Sequence, residues 1–383
     1  MLLPGPQFTR RLLRWYDRAR RDLPWRIDPA SGEALDPWHV LVSETMLQQT
    51  QAATVTPFYR RFLARFPTVA GLAGADEQEA LRLWQGLGYY SRARNLRAAA
   101  RKIVGEFGGN VPADVEQLLS LPGVGRYTAG AVASIAFGRR VPILDGNVQR
   151  VLCRLDRIES DPREPATRAL LWQRAAEILP KSRVGDFNSA LMELGATLCM
   201  PRAPRCLLCP VRGHCEAFAA GVQERIPVPR KAKPTPLIRR QTYCICREDC
   251  WLIEQRPAKG RWAGMWQFVT LPHAEKVSSK EKPRLPLETT PPRLLGALRH
   301  ALTHRRYQFE VMACEAKGDG PLAADKPRRW LPLDRLHEVP MPRPHQRIAE
   351  MLREKDATTC AGAPAQTSLK IRNPKHEIRN KPK

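Results

Sequence analysis

In the first half of the chain, apolar positions recur three and four residues apart and are interrupted by proline, glycine and aspartate, the pattern of short amphipathic helices. The spacing predicts helices over Phe8 to Leu23, from a cap at Asp36 through Thr50, and over Ala52 to Phe66, Asp76 to Trp84 and Ser91 to Phe107. Asp114 can cap a short helix ending near Leu121, after which Gly123 and Gly125 supply a tight turn into a helix from about Tyr127. Asp145-Gly-Asn147 precedes a helix over Val148 to Leu155, and helices resume over Pro165 to Leu179 and Gly185 to Leu198. Beyond a linker rich in proline and charge, Gln223 to Arg239, the period falls to two. Thr242 to Cys246, Trp251 to Gln255 and Tyr307 to Cys314 alternate as strands, with a polar loop near Lys276 to Arg293. The expected organisation is a helical domain over 1–222, a linker over 223–239, an α+β domain over 240–354 and a disordered basic tail over 355–383.

Composition adds a partner. The 383 residues are 43% hydrophobic, enough for two cores, and carry a formal charge of +25, which draws a protein to polyanions in a salt-dependent way. Nucleic acid is the first candidate. No apolar run reaches the length of a membrane-spanning helix, and Met1-Leu-Leu-Pro-Gly is too short and broken for a signal peptide, so an intracellular protein is expected, cytoplasmic or nucleoid-associated in a bacterium and with no membrane partner. Ten cysteines in that setting do not read as a disulfide framework.

The candidate chemistry sits on these elements. Val40, Leu41 and Leu47 lie one helical turn from Glu44, so its carboxyl group lies on an apolar stripe, where burial raises the pKa and makes it a proton donor near neutrality. Asp145, at a helix N-terminus, is expected to stay ionised and to suit a developing positive charge. Glycines at the start of the helix near Tyr127 let backbone N–H groups approach a phosphate. In Gly86-Leu-Gly-Tyr89-Tyr90-Ser-Arg-Ala-Arg, a ring flanked by glycines and arginines suits insertion into a base stack. Cys199-x6-Cys206-x2-Cys209-x5-Cys215 gathers four thiols with metal-site spacing, for zinc or for iron and sulfur.

The hairpin followed by Asp145 resembles the helix-hairpin-helix superfamily of DNA-repair glycosylases that includes endonuclease III. Asp22-Leu-Pro-Trp25-Arg26, Ser43-Glu44-Thr-Met-Leu-Gln-Gln49-Thr50 and the Gly86 to Asn95 segment narrow the likeness to the adenine DNA glycosylase (MutY) family. The resemblance implies a mostly α glycosylase domain with an iron-sulfur loop, and a Nudix-like α+β domain opened by Gly260-Arg-Trp-Ala-Gly-Met-Trp266-Gln-Phe268. It implies a [4Fe-4S] cluster on Cys199, Cys206, Cys209 and Cys215, with a monovalent cation at the hairpin as a further candidate. By the same resemblance Glu44 and Asp145 are the catalytic carboxyls, oriented by Tyr127 and Asn147. Gln49, Tyr89, Gly123 and Gly125 contact DNA, and Trp25 and Arg26 the extruded base. Tyr127 stands where strand-cutting relatives carry lysine, so no amine is available there for a Schiff base. The magnesium-binding carboxylates of a Nudix hydrolase are missing after Trp266. The family's Phe-Ser-His lesion loop corresponds to Leu302-Thr303-His304, which keeps the hydroxyl and the imidazole but not the phenyl ring. The expected partner is double-stranded DNA with adenine opposite 8-oxoguanine or guanine, met by a monomer. A thymine or uracil mismatch glycosylase and a non-catalytic iron-sulfur DNA-binding protein are the alternatives.

Overall fold

The structure is a computed structural model that describes residues 5–26, 35–228, 234–273, 284–318, 322 and 325–359, with side chains described as far as Glu354. The readings made for the first four residues, the middle of the linker, part of the loop near Lys276 and the tail from residue 360 lie outside the described residues.

Helices α1 (Pro6–Ala19), α2 (Pro37–Leu47), α3 (Ala52–Arg65), α4 (Val69–Gly74), α5 (Glu77–Leu83), α6 (Ser91–Glu106), α7 (Val115–Leu119), α8 (Arg126–Ile135), α9 (Gly146–Leu155), α10 (Pro165–Glu177), α11 (Val184–Thr197) and α12 (Glu216–Ala219) precede the sheet. Aspartates start four of them. Asp36, Asp76, Asp114 and Asp145 each accept a hydrogen bond from an otherwise orphaned backbone N–H in the first turn of α2, α5, α7 and α9. The six-residue α4, capped by Thr68, was not anticipated, because so short an element shows no periodicity.

These helices bury two separate cores. Trp38, Leu41, Phe62, Leu72, Trp84, Leu96 and Ile103 belong to a first lobe built on α2 to α6, and Phe8, Leu12, Tyr16, Val148, Leu152, Phe187, Leu191 and Leu194 to a second built on α1, α9 and α11. α8 runs between them: Ala129, Val132 and Ala133 pack into the first core and Ala131 into the second. Its small side chains allow close approach. A Cβ on Gly130 would stand 2.5 Å from the Pro142 carbonyl oxygen. α2 is buried on every side from Val40 to Met46, rather than along one stripe, because α3, α6 and α8 surround it.

The C-terminal domain holds β1 (Leu237–Arg247), β2 (Cys250–Gln255), β3 (Trp266–Pro272), β4 (Arg293–Leu302), β5 (Arg305–Glu315), β6 (Arg328–Pro332) and α13 (Arg343–Thr359). One mixed sheet runs in the order β4-β5-β1-β3-β2-β6, with β1 and β5 parallel. β1 starts inside the segment read as linker, because Leu237 already pairs with Arg306 of β5. This domain docks on the first lobe. Gln78 Nε2 donates to the Gly264 carbonyl at 3.2 Å and Trp266 Nε1 donates to Gln78 Oε1 at 3.2 Å. Met341 N donates to Gln85 Oε1 at 2.9 Å, Arg94 reaches the Ala263 carbonyl, and Met265 is buried in the first core. Among the described residues no helix is long and apolar enough to cross a membrane.

Arg92 secures the end of α2. Its Nη1 donates to the carbonyls of Thr45 at 3.1 Å, Met46 at 2.7 Å and Gln48 at 2.6 Å, and its plane lies over Trp84 and Tyr89. Burial lowers its pKa to about 10, so it stays charged at neutral pH. Arg92→Met leaves those carbonyls without their donor, and we expect a loss of about 2–4 kcal/mol in unfolding free energy, measured as a lower urea midpoint.

Candidate active site

The two lobes leave a cleft of about 1460 Å³ between them, ample for a flipped base. Each lobe supplies one carboxyl group to it, and α8 supplies the phenol between. Glu44 enters from α2 of the first lobe, Asp145 from the N-cap of α9 in the second, and Tyr127 from the first turn of α8. Trp25, Arg26, Gln49, Gly123, Gly125 and Asn147 line the same cleft. Gly123 has φ +79° and packs against Asn95, so the hairpin turn requires glycine there.

Glu44 is only 5% exposed, and its Oε2 accepts a 2.6 Å hydrogen bond from Tyr127 Oη. Burial pushes its pKa up to about 7. The Tyr127 bond and Arg26 pull down and the nearby Asp145 pushes up, but neither pull outweighs burial. Asp145 caps α9 through Oδ1, which accepts from Val148 N at 2.7 Å, while Oδ2 accepts from Asn147 Nδ2 at 2.9 Å. Besides the helix N-terminus, a second influence acts on its charge. Burial raises the Asp145 pKa above the ordinary aspartate value, against the pull of the Val148 and Asn147 donors and of Arg150.

Arg150 extends this arrangement outward. Its Nη2 donates to Asn147 Oδ1 and to the Gly195 carbonyl, each at 2.8 Å, and its Nε donates to the Cys199 carbonyl at 2.7 Å. Cys199, Cys206, Cys209 and Cys215 line one small cavity behind α9 and α11, with Arg154 Nη1 donating to Cys199 Sγ at 3.2 Å. Among the described residues no group of three or more His, Cys, Asp or Glu closes around a single metal ion. Four thiols around one cavity are a donor set whose chemistry suits iron-sulfur ligation.

Tyr89 lies outside the cleft lining, 42% exposed in the loop before α6 with φ +48°. Its hydroxyl shares a 2.9 Å hydrogen bond with Thr303 Oγ1, so the loop of the first lobe meets the β4–β5 turn of the C-terminal domain. Leu302 ends β4, and Thr303 and His304 form that turn.

The sequence reading passed over Glu193. This α11 carboxylate, with no exposed side-chain surface, accepts from Arg21 Nε at 2.7 Å and Arg21 Nη2 at 2.9 Å, and from Arg26 Nη2 at 2.8 Å. Burial would raise its pKa, but the two arginines hold it below the ordinary value. A lone acid in Ala-Leu-Met-Glu193-Leu-Gly is the same signal that exposed Glu44. The contrast has a measurable side. Because the folded-state pKa of Glu44 is raised, its contribution is fully favourable below pH 4.5 and is lost as pH rises through 7, by up to roughly 3 kcal/mol. Glu44→Gln should therefore melt above the wild type at pH 8, with the gap closing at pH 5, as followed by calorimetry.

The comparisons agree with this architecture. Residues 42–177 match the HhH-GPD superfamily of base excision DNA repair proteins, and residues 242–351 match the NUDIX domain. The chain is 38% identical to rat adenine DNA glycosylase over 93% of its own length and 80% of the rat protein. It is 37% identical to the human adenine DNA glycosylase over 93% of this chain and 76% of that one. Over 55% of this chain and 69% of the relative, it is 46% identical to the adenine DNA glycosylase of Mycolicibacterium smegmatis. Such identity along nearly all of the chain, over a fold with a helical repair domain and a Nudix-like sheet, establishes that it belongs to the adenine DNA glycosylase family of base excision repair enzymes.

Proposed function

We propose that this enzyme acts as a monomer on duplex DNA and hydrolyses the N-glycosidic bond of adenine placed opposite 8-oxoguanine or guanine. The observation that carries the reading is the buried Glu44, with a pKa of about 7, bonded to Tyr127 in a cleft that also receives Asp145. One chain supplies both carboxyls, which supports a monomer.

Adenine leaves poorly as an anion. Glu44, whose raised pKa lets it keep a proton near neutral pH, gives that proton to ring nitrogen N7, and the C1′–N9 bond breaks with its electron pair going to the base. Asp145, held by Asn147 and the α9 N-terminus, stabilises the cationic sugar and bonds to C1′. Glu44, now a carboxylate, takes a proton from water, whose oxygen displaces Asp145 and leaves an abasic site. Tyr127 offers no amine, so the strand is not cut by β-elimination. Trp25, Arg26 and the Arg-bound Glu193 line the cleft around the extruded purine, and Gln49 and Tyr89 fill or wedge its vacated place. Thr303, joined to Tyr89, reads the opposing 8-oxoguanine with His304 and Leu302. Cys199, Cys206, Cys209 and Cys215 would hold a [4Fe-4S] cluster, which would brace the arginine-bearing loop rather than take part in base removal.

Single-turnover assays on a panel of mismatched duplexes test this. The expected outcome is free adenine from the adenine:8-oxoguanine duplex, reduced at least 100-fold in Glu44→Gln. Release of thymine or uracil instead, or salt-dependent binding without release of any base, would overturn it. Cys209→Ser should lower the iron content and the visible absorbance of the purified protein; retention of both would remove the cluster from the account.

A further inference from the structure

The Tyr127 hydroxyl has one hydrogen and two acceptors. It lies 2.6 Å from Glu44 Oε2 and 3.2 Å from the thioether sulfur of Met192, on α11 and half-buried in the same cleft. Both are bonding distances, since sulfur is a larger atom and a weak acceptor. A carboxylate outcompetes a thioether for that hydrogen, whereas a neutral carboxylic acid competes far less well. The preferred partner of the phenol therefore depends on whether Glu44 carries its proton.

We propose that Met192 is a positioning residue whose sulfur holds the Tyr127 hydrogen while Glu44 is protonated and releases it to Glu44 Oε2 once the acid has given up its proton. The inference rests on the reading of Glu44 as the acid. Its effect is differential: the bond from Tyr127 then strengthens as the glutamate becomes negative, and so stabilises charge formed during the reaction rather than charge already present in the resting enzyme. The other groups acting on Glu44 are fixed. Asp145 approaches from α9 and Arg26 from the segment after α1, where Glu193 of α11 binds it. Arg92 of α6 is committed to the backbone carbonyls of Thr45, Met46 and Gln48. The Tyr127 hydrogen is the mobile element, and Met192 is its alternative seat. No atom is oxidised or reduced, and one O–H bond rotates.

The experiment follows single-turnover adenine release against pH in the wild type, Met192→Leu, Met192→Gln and Tyr127→Phe, and in the Met192→Leu/Tyr127→Phe double variant. Leucine fills the space without accepting a hydrogen bond, so Tyr127 is left to Glu44 in both states. The alkaline limb should then move down by about half a pH unit, the size of a weak sulfur contact. Glutamine restores an acceptor and should return the limb to the wild-type position or above it. In the Tyr127→Phe background, Met192→Leu should produce no further shift. A limb unmoved by Met192→Leu, a fall in Met192→Gln as large as in Met192→Leu, or an equal shift without Tyr127 each overturns the proposal. Circular dichroism and iron content identify a variant that fails to fold, in which case Met192→Gln against Tyr127→Phe decides. If the wild type releases no adenine at all, the functional reading fails instead, so the two failures are distinguishable.

Discussion

The thinness of α8 is the constraint on which the rest depends. A helix built from Thr128, Ala129, Gly130, Ala131, Val132, Ala133 and Ser134, all buried, packs into both helical cores. Gly130 lets the Pro142 carbonyl close in from one side, and Gly185 lets α11 reach the Ser134 carbonyl. Interiors pack as tightly as organic crystals, so a larger side chain here has to move a lobe rather than a neighbour. Because one lobe carries Glu44 and the other Asp145, the separation of the two carboxyls is set by the width of this helix. The hairpin glycines then matter twice, once for the turn and once because they start the helix that gauges the cleft.

Within the cleft, two buried glutamates show how environment alone divides chemically identical groups. Glu193 has two guanidinium partners and is held ionised; Glu44 has a phenol and a more distant arginine, and burial wins. Arg26 takes part in both outcomes. By binding Glu193 directly, it spends its charge on the neighbour and leaves Glu44 with little to stabilise its anion.

Much of this was legible before any coordinates. Caps are local chemistry, so Asp36, Asp114 and Asp145 marked the starts of their helices to within a residue or two. The sheet was harder to read. β3 follows directly on a tryptophan- and glycine-rich loop, β4 has no strict alternation and shifts register between Leu294 and Gly296, and the five-residue β6 lies at an edge. Their pairing is decided by partners distant in sequence. The division into two lobes could not be read either, since an Ala/Gly run looks alike from either side. At the site, Glu44 stood out as a lone acid among apolar residues, whereas Glu193 gives the same signal and draws its meaning from Arg21 and Arg26, 172 and 167 residues away. The upward shift of Asp145 depends on how far the surrounding protein desolvates it, which is a property of the folded protein rather than of any local stretch.

The placement of α1 bears on how the molecule is made. Its buried face of Phe8, Leu12 and Tyr16 docks on a core completed by Phe187, Leu191, Val211 and Ile226, while the intervening chain builds the other lobe. A ribosome delivering residues in order releases this helix well before Phe187, Leu191, Val211 and Ile226 of its berth, with the sheet domain still to follow. Throughout that interval the helix has a sticky face and an incomplete core to cover it, and the thiol-bearing loop emerges between Leu191 and Ile226 of that core. Completion of the second lobe therefore joins segments more than 170 residues apart, and with it the wall of the cleft that carries Asp145.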